Sequence, residues 1–107
     1  EIDGIQFAAV PVDLDAAAMK QISFDLAAQH KGLCLVLGAQ VGEKALLSIY
    51  IDKEIVATKG LSASKMIREL GSHIQGGGGG QDFFATAGGK NPSGIPQALE
   101  AAKALFN

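Results

Sequence analysis

Apolar runs in this chain alternate with polar, glycine-marked breaks, and the spacing inside each run sets the element it predicts. Residues 5–12 read as a short strand, and Pro11, with no N–H to give to a ladder, places it at a sheet edge or near its own end. Asp13 and Asp15 offer N-cap oxygens to a helix that runs to about His30 and stops at Gly32. Met19, Ile22 and Leu26 share one stripe of that helix, while Phe24 falls nearly opposite with Ala17 and Ala28 as a second apolar face. Residues 33–37 are continuously apolar, which predicts a strand buried on both faces. A polar turn over residues 38–44 leads to a strand over 45–51, with Leu47, Ile49 and Ile51 on one side and Leu46, Ser48 and Tyr50 on the other. The short connection pairs these two strands antiparallel.

Asp52 then caps a brief helical turn through Ile55 and Val56, closed by Lys59 and Gly60. From Ser62 the period changes to that of a helix. Ala63, Met66, Ile67, Leu70 and Ile74 predict a helix over 63–74, capped by Ser62 or Ser64. Gly71 weakens it by about 1 kcal/mol relative to Ala, a loss that close packing against another backbone offsets. A strand over 82–87 ends at Gly88 and Gly89, residues 91–94 turn, and Pro96 opens a last helix with Ile95, Leu99, Ala102 and Phe106 inward. The pattern as a whole is α/β: a single-domain sandwich with a mixed four-stranded sheet packed by helices.

Between the 63–74 helix and the 82–87 strand stand Gly76, Gly77, Gly78, Gly79 and Gly80 in succession, and eight of the 14 glycines fall between Gly76 and Gly94. Five glycines weaken any element they occupy. Their position between two strongly patterned segments predicts an exposed binding turn, in which bare amides face an anion and a bulky partner approaches closely. Around it, Gln81, Thr86, Lys90 and Asn91 supply donors, and Lys65 and Arg68 lie on the polar side of the preceding helix. Lys90, directly after Gly88 and Gly89, is the first choice among the cations. Phe83 and Phe84 alternate in direction, so at least one enters the core.

Length and composition narrow the function. A chain of 107 residues supports one core, and 48% hydrophobic with 19% charged residues describes an ordinary globular protein. Formal net charge is −2, yet residues 1–52 carry net −4 and residues 53–107 net +2, a mild basic bias in the half that holds the glycines. Cys34 is single and set in an apolar run, so it reads as a buried small hydrophobe in a reducing compartment. No apolar stretch reaches the roughly 18 residues of a membrane span. His30 and His73 both fall near helix ends as cations rather than ligands. No HExxH, Gly-x-Ser-x-Gly or Walker pattern is present, and the glycine run follows a helix where a dinucleotide fingerprint follows a strand. The residues predict a binding module without a catalytic or metal site of its own. The start at Glu1, with no Met, reads as a piece of a longer chain.

The glycine run followed by Asp82-Phe83-Phe84-Ala85-Thr86-Ala87-Gly88-Gly89-Lys90-Asn91 and a terminal Ala/Leu-rich helix resembles the C-terminal, DHH-associated domain of alanyl-tRNA synthetases. Upstream, the Gly60-to-Lys65 segment and the helix into the glycines are similar in pattern. The resemblance implies a non-catalytic, tRNA-binding domain of a cytoplasmic, ATP-dependent ligase, supporting aminoacylation and editing by preceding domains. ATP and Mg, with zinc in the editing domain, then belong to the parent, and no cofactor to this domain. Expected partners are tRNA and those preceding domains, with self-association through the Phe24 face and no membrane. Expected contacts are Gly76–Gly80, Gln81, Lys90, Asn91, Lys65 and Arg68. The alternative is the substrate-binding domain of a DHH-family phosphoesterase acting on single-stranded nucleic acid. Against it, Gln81 stands where those proteins typically carry a substrate-binding His, and no Asp-His-His occurs.

Overall fold

The computed structural model describes residues 6–13, 15–30 and 32–105. Its elements are β1 (Gln6–Val12), α1 (Ala16–Gln29), β2 (Leu33–Val41), β3 (Lys44–Ile51), α2 (Lys53–Lys59), α3 (Ala63–Gly71), β4 (Gly76–Gly80), β5 (Phe84–Gly89) and α4 (Ile95–Leu105), with 3-10 turns at Ser72–Ile74 and Pro92–Gly94. The strands form one sheet in the order β1-β2-β3-β5-β4, in which β1 and β2 are parallel and the other neighbours antiparallel. The expected α/β sandwich and mixed sheet are therefore present, with five strands where four were expected. Ile5 and Phe106 lie outside the described residues.

Capping follows the side chains that the sequence supplies. Asp15 accepts from the Ala18 amide at 2.8 Å and opens α1. One Asp52 oxygen accepts from the Glu54 amide, while the other accepts from Gly32, tying the start of α2 to the entrance of β2. Ser62 caps α3. That helix is shorter than its apolar period implies, because its last turn tightens to a 3-10 turn before Gln75, at φ 55°, swings the chain into β4.

The sheet buries both faces, though unequally. On one side, α2, α3 and α4 cover Cys34, Val36, Leu47, Ile49, Ile51, Ala85 and Ala87, and this is the larger core. On the other, α1 alone covers Leu33, Leu35, Leu37 and Ala39, with Leu46 and Tyr50 at the margin. The buried stripe of α1 corrects the expectation of Met19, Ile22 and Leu26. Met19 and Ser23 are fully buried, Leu26 is half-buried, and Ile22 is exposed. Phe24 is the physical reason: its ring packs at 5.5 Å on Tyr50 and 5.3 Å on Phe84, turning the helix toward β3 and β5. Ser23 fits beneath because it is small and donates its hydroxyl to the Met19 carbonyl at 2.8 Å. The Phe24 face is thus engaged within the chain, rather than the bare apolar face from which self-association was inferred.

Two further expectations change. Strand β2 runs on through Val41, where a turn had been placed, because Gly38–Val41 pairs with Lys44–Leu47 and the hairpin closes in two residues at Gly42, φ 63°. The glycine run is a strand, not a loop. Side chains at Gly76, Gly78 and Gly80 would fall onto the Gly88, Thr86 and Phe84 carbonyl oxygens of β5, so only glycine permits this pairing.

Candidate functional site

Strand β4 ends the sheet, so its outer edge carries backbone groups that β5 does not use. Among the described residues, no other element donates a backbone hydrogen bond to it or accepts one from it. Its glycines divide into two sets. Gly76, Gly78 and Gly80 are fixed by the close approach of β5, whereas a side chain at Gly77 or Gly79 would meet nothing within 4 Å. The strand register places those two beside Gly88 and Thr86, on the face of the sheet away from α3 and α4. Helix α1 covers the β1–β3 part of that face and reaches β5 only at its margin, through Phe24 on Phe84 and Met19 near Thr86 and Gly88. Gly77, Gly79, Thr86 and Gly88 are left as a smooth, open strip.

One end of the strip is cationic. Lys44, at the start of β3, and Lys90, just past β5, line one concavity with Gly76, Gly88, Gly89, Gln75 and Leu46. An adjoining hollow shares both lysines and adds Gln40, Glu43 and Pro92. Both lysines are exposed, and among the described residues neither forms an ion pair. The arrangement offers two exposed cations beside glycine main chain, which is chemistry for phosphate oxygens and not for bond cleavage.

The expected contact residues separate accordingly. Gly76 and Lys90 come together, with Gly77–Gly80 running away from them along β4, and Lys44, which the sequence reading missed, joins the pair. Gln81 is exposed at the opposite end of β4, its amide donating to the Phe84 carbonyl at 2.8 Å. Asn91 is a turn-former: its amide nitrogen donates to the His73 carbonyl, its oxygen accepts from Ser93, and its backbone N–H donates to Ile74. Those bonds hold Asn91 in the turn that follows β5. Lys65 and Arg68 are exposed on α3, the layer on the other side of the sheet from the strip. Phe83 and Phe84 both join the aromatic cluster around Phe24, and Lys53 sits 4.8 Å from the Phe83 ring centre.

No signal in a local window would have chosen Lys44. It becomes legible only through the register Ala45 to Gly89 and Leu46 to Gly88, which carries the start of β3 to the end of β5. Among the described residues, no group of three or more His, Cys, Asp or Glu side chains is placed to hold a metal ion.

The fold and this open strip define an α/β domain built around an edge strand of bare main chain. The chain belongs to the DHHA1 domain family, whose model matches residues 4–107. It is 52% identical over 105 residues to an alanine–tRNA ligase of Christiangramia forsetii, covering 98% of this chain and 12% of that protein. A second alanine–tRNA ligase, from Cytophaga hutchinsonii, is 48% identical over 89 residues, covering 83% of this chain and 10% of that one. The chain therefore spans about one eighth of the length of the first of these relatives. Among solved structures, the C-Ala domain of Aquifex aeolicus alanyl-tRNA synthetase superposes with a TM-score of 0.79 at 26% identity, over 94% of this chain and 87% of that domain.

Proposed function

We propose that this chain is the C-terminal domain of an alanine–tRNA ligase, and that it grips tRNA through the β4–β5 strip while domains elsewhere in the parent activate, transfer and proofread alanine. The carrying observation is the concavity that sets Lys44 and Lys90 over the backbone of Gly76, Gly88 and Gly89. Phosphate contacts of this kind position an RNA without reading its sequence, which suits a domain that supports chemistry done elsewhere. ATP, Mg and an editing-domain zinc belong in this proposal to the parent, whose working place is the cytoplasm. The described residues include no helix long and apolar enough to cross a membrane. The phosphoesterase alternative is not favoured: the relatives are alanine–tRNA ligases, and Gln81 stands where the phosphoesterases carry their substrate-binding His.

The direct test is tRNA binding by the parent ligase as a function of salt. Each phosphate contact that is lost lowers the slope of log affinity against log salt by roughly 0.7 to 0.9. Lys44→Ala and Lys90→Ala are each expected to reduce it by one such step and to weaken binding at low salt. Equal affinity and equal slope in the double variant would refute this placement of the interface.

A further inference from the structure

Beside the strip, where it meets α1, is a pocket that phosphate recognition does not use. Between Met19 of α1 and Thr86 and Gly88 of β5, floored by Leu46 and Ser48 of β3, lies a cavity of about 110 Å³. It shares Leu46 and Gly88 with the lysine-lined concavity, so the two adjoin. Ser48 is 1% exposed, and its hydroxyl is the one buried side-chain polar atom among the described residues with no hydrogen-bond partner. An unpaired buried hydroxyl destabilises the fold unless something outside the chain satisfies it. Thr86 adds a second hydroxyl at the mouth, where it is exposed.

The glycines point the same way. A side chain at Gly88 would make only an ordinary contact, 3.8 Å from Leu46 Cδ2, and Gly77 and Gly79 have free space, so packing within the chain does not require glycine at these three positions. All three lie on the approach to the pocket. Their bareness is explained by something that lies flat against the strip.

Resting on the tRNA reading, we propose that the Ser48 pocket receives one unstacked nucleobase of the bound RNA while Lys44 and Lys90 hold the neighbouring phosphates. The walls exclude the phosphate itself, because Met19, Leu46 and Leu47 are apolar and would strip its water without replacing it. A planar heterocycle fits: an engineered apolar cavity of about 150 Å³ admits benzene, and this somewhat smaller pocket is open at its mouth, so a single six-membered ring enters edge first. Ser48 and Thr86 each donate and accept, so they meet the ring's polar edge without demanding one base. Single-stranded loop nucleotides, whose bases can be splayed out, are the RNA elements that present such an edge.

The experiment uses the full-length ligase that carries this domain and a set of its tRNAs, each lacking one base at an unpaired loop position. The wild type is expected to lose about tenfold in affinity at one such position. Ser48→Ala is expected to weaken binding of intact tRNA by about 3- to 10-fold and to shrink the penalty at that position by the same factor, with Thr86→Val acting in the same direction. Because the lost hydroxyl is unpaired, Ser48→Ala should melt no lower than the wild type, which a merely structural serine would not allow. If no missing base weakens wild-type binding, or if Ser48→Ala and Thr86→Val leave the penalty unchanged, the pocket proposal fails. With the lysine-dependent salt slope still present, the tRNA reading survives that failure. Loss of that slope removes both.

Discussion

Cys34 shows how a single side chain sets a condition on the whole domain. It lies in β2 opposite Ile51 with no exposed surface, and burial pushes its thiol up from 9.0 to about 12, the nearby Asp52 charge adding to the rise and a backbone hydrogen bond from the same residue opposing it. The thiolate, which is the reactive form, is therefore scarce in the native state. A disulfide reagent at pH 8 should label Cys34 only as fast as the protein opens, and at once in denaturant. The same shift fixes the sign of an alkaline effect. A folded value above the unfolded one means that the stabilisation is complete below about pH 9 and is lost as pH rises toward about 12. Burial also raises the Tyr50 hydroxyl, which adds in the same direction. Denaturant titrations across that range should show stability falling by up to about 1.4 kcal/mol per pH unit, with a shallower fall in Cys34→Ala. A flat response would mean that the thiol is not buried as described.

At the scale of the element, β4 makes the sharpest claim, because its five identical residues have different reasons for being glycine. A methyl at Gly78 would land on the Thr86 carbonyl and the Ala87 side chain, whereas one at Gly77 would enter open space. Gly78→Ala should therefore destabilise by about 1–3 kcal/mol, as overpacking does. Gly77→Ala should be neutral or stabilising by up to about 1 kcal/mol, since it removes freedom from the unfolded chain. Equal effects in paired urea titrations would contradict the strand pairing. This strand also marks the limit of what was legible in the sequence. The helices could be read from their caps and periods, and β2 and β3 from their apolar patterns, because side chains display which face is buried. A strand made of glycine displays no face. Its period-two constraint is real but resides in the distance to the neighbouring backbone, which only the assembled sheet reveals. The Gly71 reading succeeded for the complementary reason: a helix glycine asks for a backbone neighbour, and a side chain there would lie 3.0 Å from the Gly76 carbonyl oxygen. Lys90 was readable from its glycine neighbours, while Lys44 and the Ser48 hydroxyl, left without a partner among the described residues, needed the sheet register to set β5 and its glycines beside them.

Across the whole molecule, the larger core under α2, α3 and α4 holds the sheet, while the single helix α1 leaves the strip along β4 and the outer part of β5 uncovered on the opposite face. The overall charge of −2 does not oppose a polyanion contact, because steering depends on local potential and the strip ends in two lysines that form no ion pair among the described residues, with one glutamate nearby. On the proposed tRNA-grip reading, such a surface makes the same contacts before and during reaction, since the chemistry belongs to other domains of the parent. Binding that is uniform in this sense lowers KM without changing kcat. In the parent ligase, Lys44→Ala combined with Lys90→Ala should therefore raise the KM for tRNA about tenfold, at about 0.7 kcal/mol for each exposed charge contact, and leave the aminoacylation kcat nearly unchanged. Alanine activation by ATP, which needs no tRNA, should proceed at the wild-type rate. Steady-state charging at varied tRNA, run beside an ATP–pyrophosphate exchange assay, separates these outcomes. A fall in exchange would show that the lysines support the parent's fold, and a fall in kcat at unchanged KM would place their action in the reaction itself; either result removes the strip from the role of a simple grip.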